Sequence, residues 1–318
     1  MSPEFANGRI RSIKPVLAGF IALLPLLADP ALGQDAVADD GIEKLRASVT
    51  GSGPYETARL NERSGIRNGP DYDGATIHYP IDAEGPLPSM VLVPGYLSPQ
   101  SAMARWGPFL ASHGIVTMII GTNRRSEMPE ERAAALLDAV RTLEAETLRE
   151  ESPLLERLDV DRIGVGGWSM GGGGAQLAAV EDPDLDVVLA LCPWKPGRSF
   201  DHPVPVMILG AERDRLASVE LHAFAHYRNT SEDTPRLYFE VEDAGHGLAM
   251  SPRNAGGDVG RTALIWLRCF LEDRDEYRVL LERPPASAGR YLLSVPEPTP
   301  APDPETAENG PTGGPSGA

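Results

Sequence analysis

The sequence predicts a three-layer α/β/α domain with a mostly parallel central sheet and no lid domain. Two observations carry this. Continuous apolar runs occur at Met90–Val93, Val116–Ile120, Ile163–Val165, Val187–Leu191 and Val206–Leu209. Runs without polar alternation suit parallel strands covered on both faces. Segments of helical period fall between them, and strand alternating with helix places helices on both sides of one sheet.

Taken in order, the chain of 318 residues begins with Arg9, Arg11 and Lys14, then an apolar run from Val16 to Ala28 and a small-x-small site at Ala31-Leu32-Gly33. Residues 1–33 read as a secretory signal peptide. The run is short and broken by Pro25, unlike a transmembrane helix, so no stable membrane anchor is expected. Residues 34–49 read as an N-terminal linker and 50–283 as the catalytic domain. Early strands are expected at Thr57–Leu60 and Thr76–Tyr79. The clearest helix runs from Glu130 to Arg149, with Ala134, Leu137, Val140, Leu143 and Leu148 at a helical period and an acidic first turn. Only Pro193 to His202 separate two late strands, too few residues for a lid. From Pro284 the chain is rich in Pro, Gly, Ala and acid, so 284–318 reads as a disordered tail unable to bury enough apolar surface.

The run Gly167-Trp168-Ser169-Met170-Gly171-Gly172-Gly173-Gly174 follows a strand and opens a small-residue helix. Strand, Gly-x-Ser-x-Gly, helix is the nucleophile elbow of an α/β-hydrolase, in which partners follow in the order Ser, acid, His. Ser169 is the candidate nucleophile. The strand Val206–Leu209 runs into Glu212 and Asp214, and the strand Arg236–Val241 into Gly245-His246. Ligands of open α/β sheets sit at that carboxyl edge. Both carboxylates are candidates for the acid, and Asp214 is favoured because Glu212 still lies in the strand-to-loop turn. Asp214 would orient His246, which would move the Ser169 proton. Oxyanion donors are expected at the Met170 N–H and at the Tyr96 N–H, in the loop Pro94-Gly95-Tyr96 after an earlier central strand.

Further segments extend the pattern: Gln100-Ser101, Trp106-Gly107-Pro108, Leu110-Ala111-Ser112-His113-Gly114 and Pro193-Trp194. Over roughly 50–280 the chain resembles the bacterial cutinase and PET-hydrolase-like polyesterase family. The resemblance implies a lidless secreted serine esterase that cuts cutin, triglycerides or synthetic polyesters. It places Ser169, Asp214 and His246 at the triad and Tyr96 and Met170 at the oxyanion hole. Trp194 matches an aromatic flanking the substrate, and Gln100 and Leu216 fall where the family lines the same cleft. Trp168 stands where many actinobacterial cutinases have His and looks like the PET-hydrolase subgroup. The sequence departs from the family at Gly247, often a larger or hydroxylated residue there, and lacks the family's C-terminal disulfide. The alternatives are a lipase or small-ester esterase resembling platelet-activating-factor acetylhydrolase, and a non-catalytic secreted binding protein.

Other features point elsewhere or nowhere. His222 and His226 have a spacing that can hold a metal, but no third ligand is evident, so a solvated helix face is expected. The chain's two cysteines, Cys192 and Cys269, lie in apolar runs, which favours two buried thiols, although an exported chain permits a bridge. The net charge of −17, from 29 basic and 46 acidic residues, argues against nucleic acid and anionic membrane surfaces but imposes no penalty on neutral esters. No metal or organic cofactor is called for, the partner is the ester or polyester substrate, and a monomer is expected.

Overall fold

Apolar strands flanked by crossover helices bury both of their faces, and the computed structural model shows how. It describes residues 34–196 and 200–296. The signal-peptide reading of 1–33 and the tail reading beyond residue 296 lie outside the described residues. The elements are α1 (Gln34–Ser48), β1 (Thr57–Asn61), β2 (Ala75–Pro80), β3 (Leu87–Val93), α2 (Trp106–Ser112), β4 (Val116–Ile120), α3 (Pro129–Glu146), β5 (Leu158–Trp168) and α4 (Met170–Glu181). There follow β6 (Val188–Leu191), β7 (Val206–Ala211), α5 (Ala223–Asn229), β8 (Arg236–Val241), α6 (Asp258–Phe270), α7 (Arg278–Leu281) and β9 (Ala288–Ser294).

The strands form one sheet in the order β1-β2-β4-β3-β5-β6-β7-β8-β9. It is parallel from β4 through β8, with β1, β2 and β9 antiparallel at the edges. Every residue of β3, β4, β6 and β7 is buried. Alternate residues feed two cores. Val91 and Val93 join the layer under α3 and α4. Met90 and Leu92 join the opposite layer with Trp106 of α2 and Trp266 of α6. The expected α/β-hydrolase architecture is therefore present, and the link from β6 to β7 is too short to build a lid.

Three sequence expectations need correction. Residues 34–48 are a helix, not a linker. Ile42, Leu45 and Val49 recur at helical spacing and pack on the core beneath α6. Residues 288–294 belong to the sheet rather than to a disordered tail. Tyr291 and Leu293 pack on that same core, and Arg290 reaches Glu240 and Glu220. The prolines and acids around Tyr291-Leu292-Leu293 masked a strand that covers the otherwise open edge of β8. Helix α3 stops at Glu146, leaving Leu148 exposed, and its buried stripe runs through Arg132, Ala135, Leu136, Ala139 and Leu143. That stripe is rotated because α3 packs on α4 as well as on the sheet.

Cys192 and Cys269 are free and buried. Burial pushes both thiols up, that of Cys269 to about 12. A thiol reagent should therefore label neither in the native protein and both after denaturation; fast labelling of the native state contradicts this burial. A chain ending at residue 283, lacking β9, should melt about 2–8 °C lower, the shift expected for a loss of about 1–2 kcal/mol at this size. An unchanged melting temperature would show that β9 adds nothing to the sheet.

Candidate active site

Ser169 lies between the end of β5 and the start of α4, with φ 60° and ψ −122°. A residue with a Cβ adopts that conformation only when its surroundings force it. Glycine makes the turn possible. A Cβ on Gly167 would lie 2.4 Å from the Gly171 carbonyl carbon, and one on Gly171 2.4 Å from the Val93 oxygen. Backbone therefore packs directly on backbone where strand meets helix. The Ser169 N–H donates to Leu191 O at 3.0 Å, and its carbonyl accepts from Gly172, Gly173 and Trp194.

Strand β7 delivers Asp214 and β8 delivers His246, both just past the carboxyl edge. His246 Nε2 is 2.9 Å from Ser169 Oγ, and His246 Nδ1 is 2.6 Å from Asp214 Oδ2. Asp214 Oδ1 accepts the N–H groups of Leu216 and Ala217 at 2.9 and 2.8 Å, which fixes the carboxylate from its other side. With Nδ1–H donating to Asp214, the free lone pair of Nε2 faces the serine hydroxyl, an arrangement able to accept its proton. Glu212 instead accepts the Asp243 N–H at the surface and plays no part in this chain of bonds.

The other sequence-derived candidates are placed as follows. Met170 is the first residue of α4, where its N–H has no intrahelical acceptor. Gly95, next to Tyr96, abuts Ser169 so closely that a Cβ there would be 2.8 Å from Ser169 Cβ. Trp168 donates from its indole N–H to His246 O at 2.9 Å, with ring centroids 5.3 Å apart. Trp194 donates its own backbone N–H to Ser169 O at 2.8 Å. Leu216 and Tyr96 are exposed beside the site. Gln100 donates its amide to Ile119 O and Thr76 Oγ1, which ties it to the edge between β2 and β4. It shares no hydrogen bond with Ser169, His246 or Asp214 among the described residues.

His222 and His226 are not on a solvated helix face; both are buried. His222 stacks on Trp194 at 5.5 Å and accepts the Lys195 N–H at Nδ1. His226 Nε2 donates to Lys195 O at 2.7 Å while its Nδ1 accepts from Gln176 of α4 at 2.8 Å. These bonds require a neutral His226, whose ring nitrogens are both occupied. The two residues brace the Trp194 loop against α4. Their apolar neighbours Ala223, Phe224 and Ala225 were the available sign of burial. Arg132, the other residue whose setting the sequence did not disclose, sits on the buried stripe of α3.

The chain matches the family model described as PET hydrolase-like over residues 34–295, a span that includes both α1 and β9. It is 31% identical to bis(hydroxyethyl) terephthalate hydrolase of Streptomyces coelicolor, covering 91% of this chain and 92% of that protein. It is 34% identical to cutinase est2 of Thermobifida alba over 72% of this chain and 74% of that protein. It is also 33% identical to lipase 1 of a Moraxella species, over 77% and 74% respectively.

Burial pushes His226, His202 and His78 down from 6.5 to about 4. The unfolded chain binds protons at these residues between those values while the folded one does not. Their contribution to stability is thus complete above pH 6.5 and is lost as pH falls toward 4. Melting temperature should drop across that window, less steeply in His226→Gln; equal slopes in both proteins would show that His226 is not held neutral.

Proposed function

The chain belongs to the PET hydrolase-like family, and from that premise we propose that it is a secreted serine esterase that cuts polyesters through an acyl-enzyme on Ser169. It is a carboxylic ester hydrolase. The observation that carries the mechanism is the continuous hydrogen-bond chain from Asp214 through His246 to Ser169, at 2.6 and 2.9 Å. Ser169 Oγ attacks the ester carbonyl as His246 Nε2 takes its proton. Asp214 holds the imidazolium that forms. The carbonyl oxygen, now negative, is received by the N–H groups of Tyr96 and Met170, the latter at a helix N-terminus that favours negative charge. His246 returns the proton to the leaving alcohol as the tetrahedral species collapses. Water, deprotonated by His246, then attacks the acyl-serine; as this second tetrahedral species collapses, His246 returns the proton to Ser169 Oγ and the acid is released.

The substrate reading rests on the surroundings of Ser169. Among the described residues no lid covers it, and Trp194, Trp168 and Leu216 supply apolar surface beside it, suiting an insoluble chain with aromatic or aliphatic acyl groups. Gln100, tied to the sheet edge, would border this cleft without reaching into it. The relative named for bis(hydroxyethyl) terephthalate supports an aromatic diester as a soluble substrate. Export rests on the reading of residues 1–33; among the described residues no helix is long and apolar enough to cross a membrane.

The test is release of soluble acids from a polyester film by wild type beside Ser169→Ala. Wild type should erode the film. Ser169→Ala should fall to background, a loss of about 10⁶-fold in kcat by analogy with other serine hydrolases, without a change in melting temperature. Turnover retained by Ser169→Ala would overturn the assignment. Hydrolysis of a soluble butyrate ester with an intact film would favour the small-ester or lipase reading, to which the similarity to lipase 1 also points.

A further inference from the structure

Arg132 is among the largest fully buried side chains of the protein, yet no carboxylate pairs with it among the described residues. Its donors go to backbone carbonyls. Nη1 donates to Pro94 O at 2.7 Å, Nη2 to Arg125 O at 3.1 Å and Nε to Glu127 O at 3.1 Å. Burial brings the guanidinium down to about 10, partly offset by Glu127 and Glu131, so it remains a cation at neutral pH. Holding a buried cation on carbonyl dipoles, with no carboxylate in direct contact, is costly. The fork geometry of arginine suits this use, because one rigid plane serves three acceptors at once.

The carbonyls it holds are informative. Pro94 O belongs to the peptide preceding Gly95. Arg125 O also accepts the Leu97 N–H, at 2.8 Å. Arg132 therefore grips the turn before Tyr96 directly and after it through one shared carbonyl. The turn needs such support: Leu97 has φ 56°, and Gly95 is pressed against Ser169. Access for Arg132 depends on the elbow helix. A Cβ on Gly174 would stand 2.9 Å from Arg132 Cβ, so the last glycine of the four leaves room for α3 to bring the guanidinium in.

We propose that Arg132 is a positioning residue for the oxyanion site, holding the Pro94–Leu97 turn so that the Tyr96 N–H meets the developing oxyanion. This rests on the reading of Ser169 as nucleophile and Tyr96 N–H as donor. A misdirected donor weakens transition-state binding more than substrate binding. The bland alternative is that Arg132 only fastens the 124–128 loop to the body of the domain, which would alter stability and leave turnover per folded molecule unchanged.

The experiment measures kcat and KM on a soluble aryl ester for wild type, Arg132→Lys, Arg132→Met and Ser169→Ala. Alongside, it measures the affinity of the first three for an arylboronic acid, whose tetrahedral adduct on the serine puts an oxygen in the oxyanion site. Folded fraction is taken from near-UV circular dichroism. Arg132→Met should lose about 10–100-fold in kcat, somewhat less than deletion of a whole donor. KM should be unchanged and boronate affinity should fall by a similar factor. Arg132→Lys, which keeps the charge but replaces the planar fork with a single ammonium group, should recover part of both losses, and it carries the test if Arg132→Met does not fold. Wild-type kcat and boronate affinity in a folded Arg132→Lys and Arg132→Met, with Ser169→Ala inactive, would overturn this inference alone. Losses that track only the folded fraction would do the same. Turnover retained by Ser169→Ala would remove the serine mechanism and this inference with it.

Discussion

The close contact of α4 with β3 and β5 is the constraint on which the site depends. Ser169 sits in a backbone conformation that costs about 1–3 kcal/mol at a non-glycine residue. It persists because both backbone polar groups of Ser169 are committed, the N–H to Leu191 and the carbonyl to three donors. Glycines 167 and 171 let the strand and helix backbones touch. A Cβ at either position would force them apart and take the hydroxyl with them.

Everything else is aimed at the point that this turn fixes. The order β5-β6-β7-β8 brings Asp214, just past β7, and His246, just past β8, to the same sheet edge as Ser169 at the end of β5. Behind the site, the Trp194 loop is held by its own N–H to Ser169 O and by the buried His222 and His226. In front, Arg132 holds the Pro94–Leu97 turn. Ser169 is thus braced on two sides by the buried His222, His226 and Arg132, supporting contacts of the kind that hold a side chain to within about half an ångström.

The central strands and the elbow were legible in the sequence because each depends on local pattern: apolar runs for buried parallel strands, glycine spacing for the tight turn. That Asp214 and His246 lie just past strand ends at the carboxyl edge of the sheet was legible for the same reason, since the strands before them are largely apolar runs. What was hidden depended on tertiary context. Segment 288–294 looks like tail by composition and becomes a strand only because β8 offers an unpaired edge. His222, His226 and Arg132 look like solvated polar residues, and their burial follows from which helix face meets its neighbour. The period assigned to α3 was offset for the same reason, since one helix packing on two partners has a wider buried face than one stripe describes.

The most direct measurement is to treat the protein with a fluorophosphonate and locate the adduct by peptide mass spectrometry. This account predicts a single rapid adduct on Ser169 in the native protein and none after denaturation, because only the folded turn joins that hydroxyl to His246 and to the oxyanion donors. A preferred adduct on another residue, or equal labelling of Ser169 in the unfolded chain, would contradict it.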